Sequence, residues 1–81
     1  MEAGIKLGNT LRRLRKDRHL SLLEVSRVSG IQSATLSRIE NNKLTGSVRN
    51  HFNVSRALGL KLSELFQEFE RDAIQGNNDS A

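Results

Sequence analysis

The side chains best suited to chemistry lie close together in the middle of the chain. Gln32 and Arg38 can pair in bidentate fashion with adenine and guanine, respectively, and Ala34 suits the methyl group of thymine. Ser33 and Ser37 can hydrogen-bond to either kind of base. Side chains of these types are able to contact base edges in double-stranded DNA. The same residue types are also common on an ordinary solvated helix, so the surrounding elements decide whether they form a binding surface.

The rest of the sequence contains few residues that could catalyse a reaction. The chain has no cysteine, so it can form neither a thiol nucleophile nor a Cys-rich zinc site. His19 and His51 have no cysteine, histidine or carboxylate at ligand spacing, and no glycine-rich phosphate loop or nucleophile–base pair is present. We therefore expect a protein that is not an enzyme and that holds no metal and no cofactor.

Charge is divided unevenly along the 81 residues. Residues 1–56 hold eleven basic and four acidic side chains, a net charge of +7, whereas residues 57–81 hold two basic and five acidic ones, a net charge of −3. The basic part suits a polyanion, and the acidic end suggests a different task. No apolar run exceeds two residues, so we expect no membrane span and no signal peptide. The lack of cysteine fits a cytoplasmic protein.

Hydrophobic periodicity predicts helices that position the polar residues. Three leucines spaced i, i+4 and i+7 form the apolar stripe of a first helix at about 5–18. Ser21 followed by Glu24 is a capping box, which starts a second helix. Gly30 ends that helix, because glycine readily takes the left-handed conformation. The first two helices are therefore defined by local signals.

Three further helices are predicted, and no strand. The third opens near Gln32 and ends at Asn41-Asn42. Ser47 caps the fourth, and a fifth begins after Ser63 or one turn earlier. The inner stripe of the fourth helix is predicted to be Val48, Phe52, Ser55 and Leu58. Residues 75–81 lack large apolar side chains, so we expect a domain at 1–74 followed by a disordered tail.

The second helix, Gly30 and the third helix have the spacing of a helix-turn-helix. Around this unit, residues from Leu7 to Phe66 resemble, without a gap, the DNA-binding domain of the phage repressor/Cro family. That family also includes restriction–modification controller proteins and antitoxins. The resemblance implies an all-α, five-helix fold like that of lambda repressor. It rests on Leu-Ser-x-x-Glu-Val-Ser at 20–26, Gly30-Ile31, Leu-Ser-x-Ile-Glu-Asn at 36–41 and Ala-Leu-Gly-Leu-x-Leu-Ser-Glu-Leu at 57–65.

The resemblance also implies roles for individual residues. The third helix of the family lies in the major groove, which assigns base reading to the five residues above. An ion pair between Arg15 and Glu40 is expected to fix that helix to the body. Leu22 stands where many relatives carry Gln, which removes one expected phosphate contact. The phosphate-binding residues are expected to be Ser21, Thr35, Asn41 and Lys43.

Two features depart from the family pattern or lie beyond it. His51 stands where the family keeps an apolar core residue, so either it is a hydrogen-bonded core histidine or the fourth helix is rotated. Phe69 and Ile74 lie past the family core and predict a homodimer interface, although Phe69 could instead fold back on its own domain.

These observations predict a dimeric transcriptional repressor, bacterial or phage-encoded, that binds double-stranded DNA at a palindromic operator. The alternatives are an antitoxin or controller protein of the same fold, with a protein partner on its C-terminal segment, and an adaptor that has lost DNA binding.

Overall fold

The computed structural model describes residues 4–80, with side chains as far as Gln75, and the described chain forms five α-helices. Apart from one isolated backbone bridge between Ile5 and Gly46, the described residues contain no β-structure. The predicted all-α, five-helix class is confirmed. The helices are α1 (Gly8–Asp17), α2 (Leu22–Ser29), α3 (Ser33–Glu40), α4 (Val48–Ala57) and α5 (Leu62–Ser80).

Local signals place the helix ends as the sequence predicts. The capping box at α2 is complete: the Glu24 N–H donates to Ser21 Oγ at 3.0 Å, and the Ser21 N–H donates to Glu24 Oε1 at 2.8 Å. Gly30 ends α2 with φ +78°, which an L side chain rarely adopts. Ser47 caps α4 by accepting the N–H of Asn50 at 3.0 Å. Satisfied end groups therefore fix where these helices start and stop.

The core lies where all five helices meet. The leucine stripe of α1 is buried as predicted, and Leu65 of α5 is fully buried. Phe66 is partly buried against this core, as expected. The buried apolar residues are Leu7, Leu11, Leu14, Val25, Leu36, Ile39, Val54, Leu58 and Leu65.

The inner face of α4 differs from the prediction. Ser55 is buried, but Phe52 is 40 % exposed, and Val48 at the start of the helix is exposed as well. His51 and Val54 point inward instead. The prediction for Val48 and Phe52 was wrong because it followed the spacing of the large apolar residues, whereas the buried side of α4 carries a histidine.

One ring nitrogen of the buried His51 has a hydrogen-bond partner within the same helix turn, whereas its Nε2 is buried with no partner among the described residues. Its Nδ1 lies 2.8 Å from the carbonyl oxygen of Ser47, which can only accept, so Nδ1 carries the proton and donates. The ring then packs on Gly46, where a Cβ would lie 2.6 Å from His51 Cε1. Of the two alternatives for His51, the structure therefore agrees with the core histidine that is hydrogen-bonded through Nδ1.

The acidic α5 is tied to α1 within the same chain. Arg13 donates to Glu68 at 2.7 Å and to Asp72 at 3.1 Å, and the hydroxyl of Thr10 donates to Asp72 at 2.8 Å. The hydrogen bond to Glu68, followed by that to Asp72, raises the pKa of Arg13. Two of the five acids of the C-terminal segment are thus engaged with α1 inside the protomer.

The backbone of α5 is helical through Ser80, with no break at residue 74. Ala81 and the side chains of residues 76–80 lie outside the described part, so the tail expected at 75–81 stays a prediction. Among the described residues, no helix is both long and apolar enough to cross a membrane.

Candidate nucleic-acid interface

The turn between α2 and α3 holds the two helices at a fixed angle. The N–H of Gly30 donates to the Ser26 carbonyl at 2.8 Å and so closes the last turn of α2. One residue later, the N–H of Ile31 donates to Ser29 Oγ at 3.2 Å. The amides of Gly30 and Ile31 in this tight turn therefore both have acceptors, and Leu36 of α3 packs into the shared core. The predicted helix-turn-helix is present.

The five residues expected to read bases lie on the outer side of α3. Gln32 is the N-cap residue, yet its side chain makes no capping hydrogen bond, so the amide is free for a ligand. Ala34 and Arg38 are exposed and lie one turn apart, as do the half-buried Ser33 and Ser37. Ser33, Ala34, Ser37 and Arg38 thus share one side of α3, and Gln32 is exposed at its start. Their contact with bases stays a prediction.

The expected ion pair between Arg15 and Glu40 is formed. Arg15 Nε and Nη2 donate to the two carboxylate oxygens of Glu40 at 2.7 and 3.0 Å, a bidentate geometry. Arg15 Nη1 also donates to the Leu20 carbonyl at 2.9 Å. The side chains are 13 % and 7 % exposed, and hydrogen bonding to Glu40 raises the pKa of Arg15. The C-terminal end of α3 is therefore fixed to α1.

A second contact between α1 and α3 was not predicted. The N–H of Gly8, at the start of α1, donates to Asn42 Oδ1 at 3.1 Å. Asn42 follows α3 with φ +58°, and a Cβ at Gly8 would overlap the carbonyl of Glu40. Sequence inspection assigned Asn42 only to ending a helix, because nothing local links residues 34 positions apart.

The expected phosphate-binding residues differ in their availability. Lys43 is exposed and Thr35 is half-buried. The hydroxyl and the N–H of Ser21 are both engaged with Glu24, whose carboxylate also places negative charge at the start of α2. Asn41 is engaged too: its Oδ1 accepts from Arg12 and its Nδ2 donates to the Ser37 carbonyl at 3.0 Å.

The basic residues divide into engaged and free groups. Besides Arg12, Arg13 and Arg15, Arg18 is engaged, since it donates to the Leu58 and Leu14 carbonyls at 2.7 and 3.0 Å. The remaining basic residues of the first 56 form no ion pair within residues 4–75 and are exposed, which leaves them available to a polyanion. They are Lys6, Lys16, Arg27, Arg38, Lys43, Arg49 and Arg56.

Comparison with known proteins gives this geometry its context. A family model described as helix-turn-helix matches residues 11–65, more than half of the chain. The chain belongs to the helix-turn-helix family of the Cro/repressor type. As a helix-turn-helix protein it is a DNA-binding transcriptional regulator, and its family and relatives are regulators and not enzymes.

Two relatives support the same assignment. The control protein C.MunI of a Mycoplasma species is 36 % identical over 69 residues, which cover 84 % of this chain and 93 % of that protein. The crystal structure of the restriction-modification controller protein C.AhdI from Aeromonas hydrophila superimposes with a TM-score of 0.70 at 28 % identity, covering 75 % of this chain and 92 % of the other. The predicted family resemblance and the fold are confirmed.

Proposed function

We propose that this helix-turn-helix protein is a repressor that binds a palindromic operator as a homodimer in the cytoplasm. One observation carries the proposal: the outer face of α3 presents free polar side chains while Glu40, at its end, is clamped by Arg15. Base recognition needs such a rigid platform, because hydrogen bonds to base edges tolerate little displacement. The free basic residues supply the sequence-independent attraction to phosphates.

The two relatives favour a more specific form of this proposal. Both are named as control or controller proteins, and one of them explicitly as a restriction-modification controller. We therefore propose as a second candidate that the operator belongs to restriction–modification genes. Binding chemistry is the same in either case, so the two candidates differ only in the genes that the operator controls.

The dimer interface needs an apolar surface, and the structure offers one on α4 and α5. Val48, Phe52 and Leu62 line an open groove of about 470 Å³. Phe69 lies seven residues after Leu62 and hence on the same side of α5, whereas Ile74 lies about 140° round the helix from Phe69. Both are exposed. We propose that the interface is centred on Phe52, Leu62 and Phe69, with Ile74 at its edge.

A pair of charge insertions tests this interface. Because Phe52 and Ile74 are both exposed, F52E and I74E should fold like the wild type. We expect F52E to sediment as a monomer at tens of micromolar and to bind a full palindrome more weakly, while I74E stays dimeric. A strictly monomeric wild type, on and off DNA, would refute the dimer. If I74E dissociates the dimer and F52E does not, the interface lies on the other side of α5.

Selection of bound sites from random duplex DNA tests the function itself. A dimer would set its two α3 helices about 34 Å apart, so we expect enriched sequences with inverted repeats one helical turn apart. A single half-site would indicate a monomeric regulator. No enrichment would refute DNA recognition and favour the adaptor alternative, in which the chain binds only a protein partner, whereas an antitoxin would enrich DNA and also bind its toxin through the C-terminal segment.

A further inference from the structure

Arg12 of α1 lies against the C-terminal end of α3. Its Nη2 donates to Asn41 Oδ1, and its Nε is 3.7 Å from Glu40 Oε1. Asn41 is itself anchored, because its Nδ2 donates to the Ser37 carbonyl. The guanidinium is thus held over the end of the recognition helix, although Arg12 belongs to another element.

Neutralising Glu40 does not require Arg12. Arg15 already binds both carboxylate oxygens, at 2.7 and 3.0 Å, whereas the approach of Arg12 is looser at 3.7 Å. The side chain of Arg12 is 38 % exposed, compared with 13 % for Arg15. Two arginines facing one carboxylate leave a net charge of +1. Because Arg12 is the more exposed of the two arginines, this positive charge faces solvent through Arg12.

Two other basic residues lie at the same helix end. Arg38 is in the last turn of α3, and Lys43 follows the helix, with its N–H donating to the Arg38 carbonyl at 2.9 Å. Both side chains are exposed and unpaired within the described residues. The negative end of a helix attracts such charges by at most about 1 kcal/mol at an exposed site, which does not require three of them. Three cations at one helix end suit an external anion.

We propose that Arg12 binds a DNA backbone phosphate next to the end of α3, and that Asn41 acts by holding its guanidinium. This inference rests on the proposed function, since the ligand is the phosphodiester of the bound operator. The fixed guanidinium favours the contact, because a fork that is already oriented loses less rotamer freedom when it binds an anion. It also gives Asn41, an expected phosphate ligand, an indirect role as a positioning residue.

The salt dependence of DNA binding separates a phosphate contact from a structural role. Each phosphate contact contributes about 0.9 to the slope of log K against log salt concentration. R12Q should therefore lower the slope by about 1.8 for a dimer, which corresponds to binding about 30-fold weaker near 0.15 M salt. R12K should retain the slope but bind more weakly than the wild type. K61Q is the matched control, because Lys61 is exposed on the loop before α5, and its slope should equal that of the wild type.

Each result of this titration bears on the proposal. An unchanged slope for R12Q would overturn it, as would an R12Q protein that fails to fold, because Arg12 would then be structural. An equal loss in K61Q would overturn it by indicating a general charge effect. The role of Asn41 is tested by N41A, which should weaken binding in the wild type but not in R12Q. If the wild-type protein does not bind DNA, or binds it with an affinity that hardly changes with salt concentration, the proposed function itself is refuted.

Discussion

Removing the carboxylate of Glu40 should destabilise the protein more than any exposed substitution. In E40A the buried Arg15 guanidinium loses both bidentate acceptors and keeps only the Leu20 carbonyl. Breaking one partner of a buried pair costs about 3–5 kcal/mol. A chain of 81 residues has a total stability of about 4–12 kcal/mol, so the loss takes at least a quarter of it. Even a loss of about 3 kcal/mol corresponds to a Tm lower by about 12–24 °C.

Urea and thermal unfolding followed by circular dichroism measure this loss. The matched control is E70Q, because Glu70 is exposed and forms no ion pair within residues 4–75, and its stability should stay within about 0.5 kcal/mol of the wild type. The E40A deficit should persist in 1 M salt, since buried pairs are screened far less than exposed ones. Replacing both partners, in R15M/E40L, should restore part of the stability by removing the unpaired charge.

An E40A protein within about 1 kcal/mol of the wild type would refute this reasoning. It would mean that water reaches Arg15 and replaces the carboxylate, in conflict with a side-chain exposure of 13 % for Arg15 and 7 % for Glu40. DNA affinity gives a second readout, because the pair fixes the end of α3. Under conditions where E40A is still folded, its affinity for the operator should also be lower than that of the wild type.

Four further changes test other contacts. G46A should cost about 1–3 kcal/mol in urea unfolding, because the new Cβ meets the buried ring of His51, and the cost should nearly vanish in an H51A background. S21A should cost about 1 kcal/mol. Bonds from the Ser21 N–H and hydroxyl lower the pKa of Glu24, so its stabilisation is full above the ordinary value of 4.5 and is lost in acid. The stability gap between E24Q and the wild type should therefore shrink from pH 7 to pH 3. D72N should lower the Tm by loosening α5.

A different result for each of these variants would contradict the contact that it tests. If G46A is as stable as the wild type, the His51 ring moves away from the new Cβ without cost. If G46A costs as much stability in the H51A background, the new Cβ clashes with another neighbour. If the difference in stability between E24Q and the wild type grows in acid, the Glu24 carboxylate does not stabilise the folded state in the way proposed. If D72N has a wild-type Tm, apolar packing alone holds α5 to α1.

Local chemistry explains which parts of the fold were predictable. The capping box at Ser21, the left-handed Gly30 and the cap at Ser47 each act through residues within one turn, and all three appear at the predicted positions. The leucine stripe of α1 is buried because three large apolar residues share one face. The expected pair of Arg15 and Glu40 came from family resemblance, and it is formed.

Predictions failed where competition between side chains decided the outcome. Periodicity placed Phe52 inside and left His51 open, but the structure buries the histidine against Gly46 and exposes the phenylalanine. Hydrophobicity favours the opposite arrangement. Burial of His51 became possible because the Ser47 carbonyl accepts its ring proton and a missing side chain leaves room for the ring. Both conditions involve residues within five positions of His51, but hydrophobic periodicity does not take them into account.

The sequence by itself determined the helices, their ends and the outer face of α3, since these depend on neighbours along the chain. Only the tertiary structure decided how the charge of the basic part is divided. Arg12, Arg13, Arg15 and Arg18 look alike in the sequence, yet their partners differ. Arg12 and Arg15 contact the end of α3, Arg13 contacts Glu68 of α5, and Arg18 donates to the Leu58 carbonyl just after α4. The physical reason is that a hydrogen bond needs an acceptor within about 3 Å. Which distant acceptor comes that close is set by helix packing.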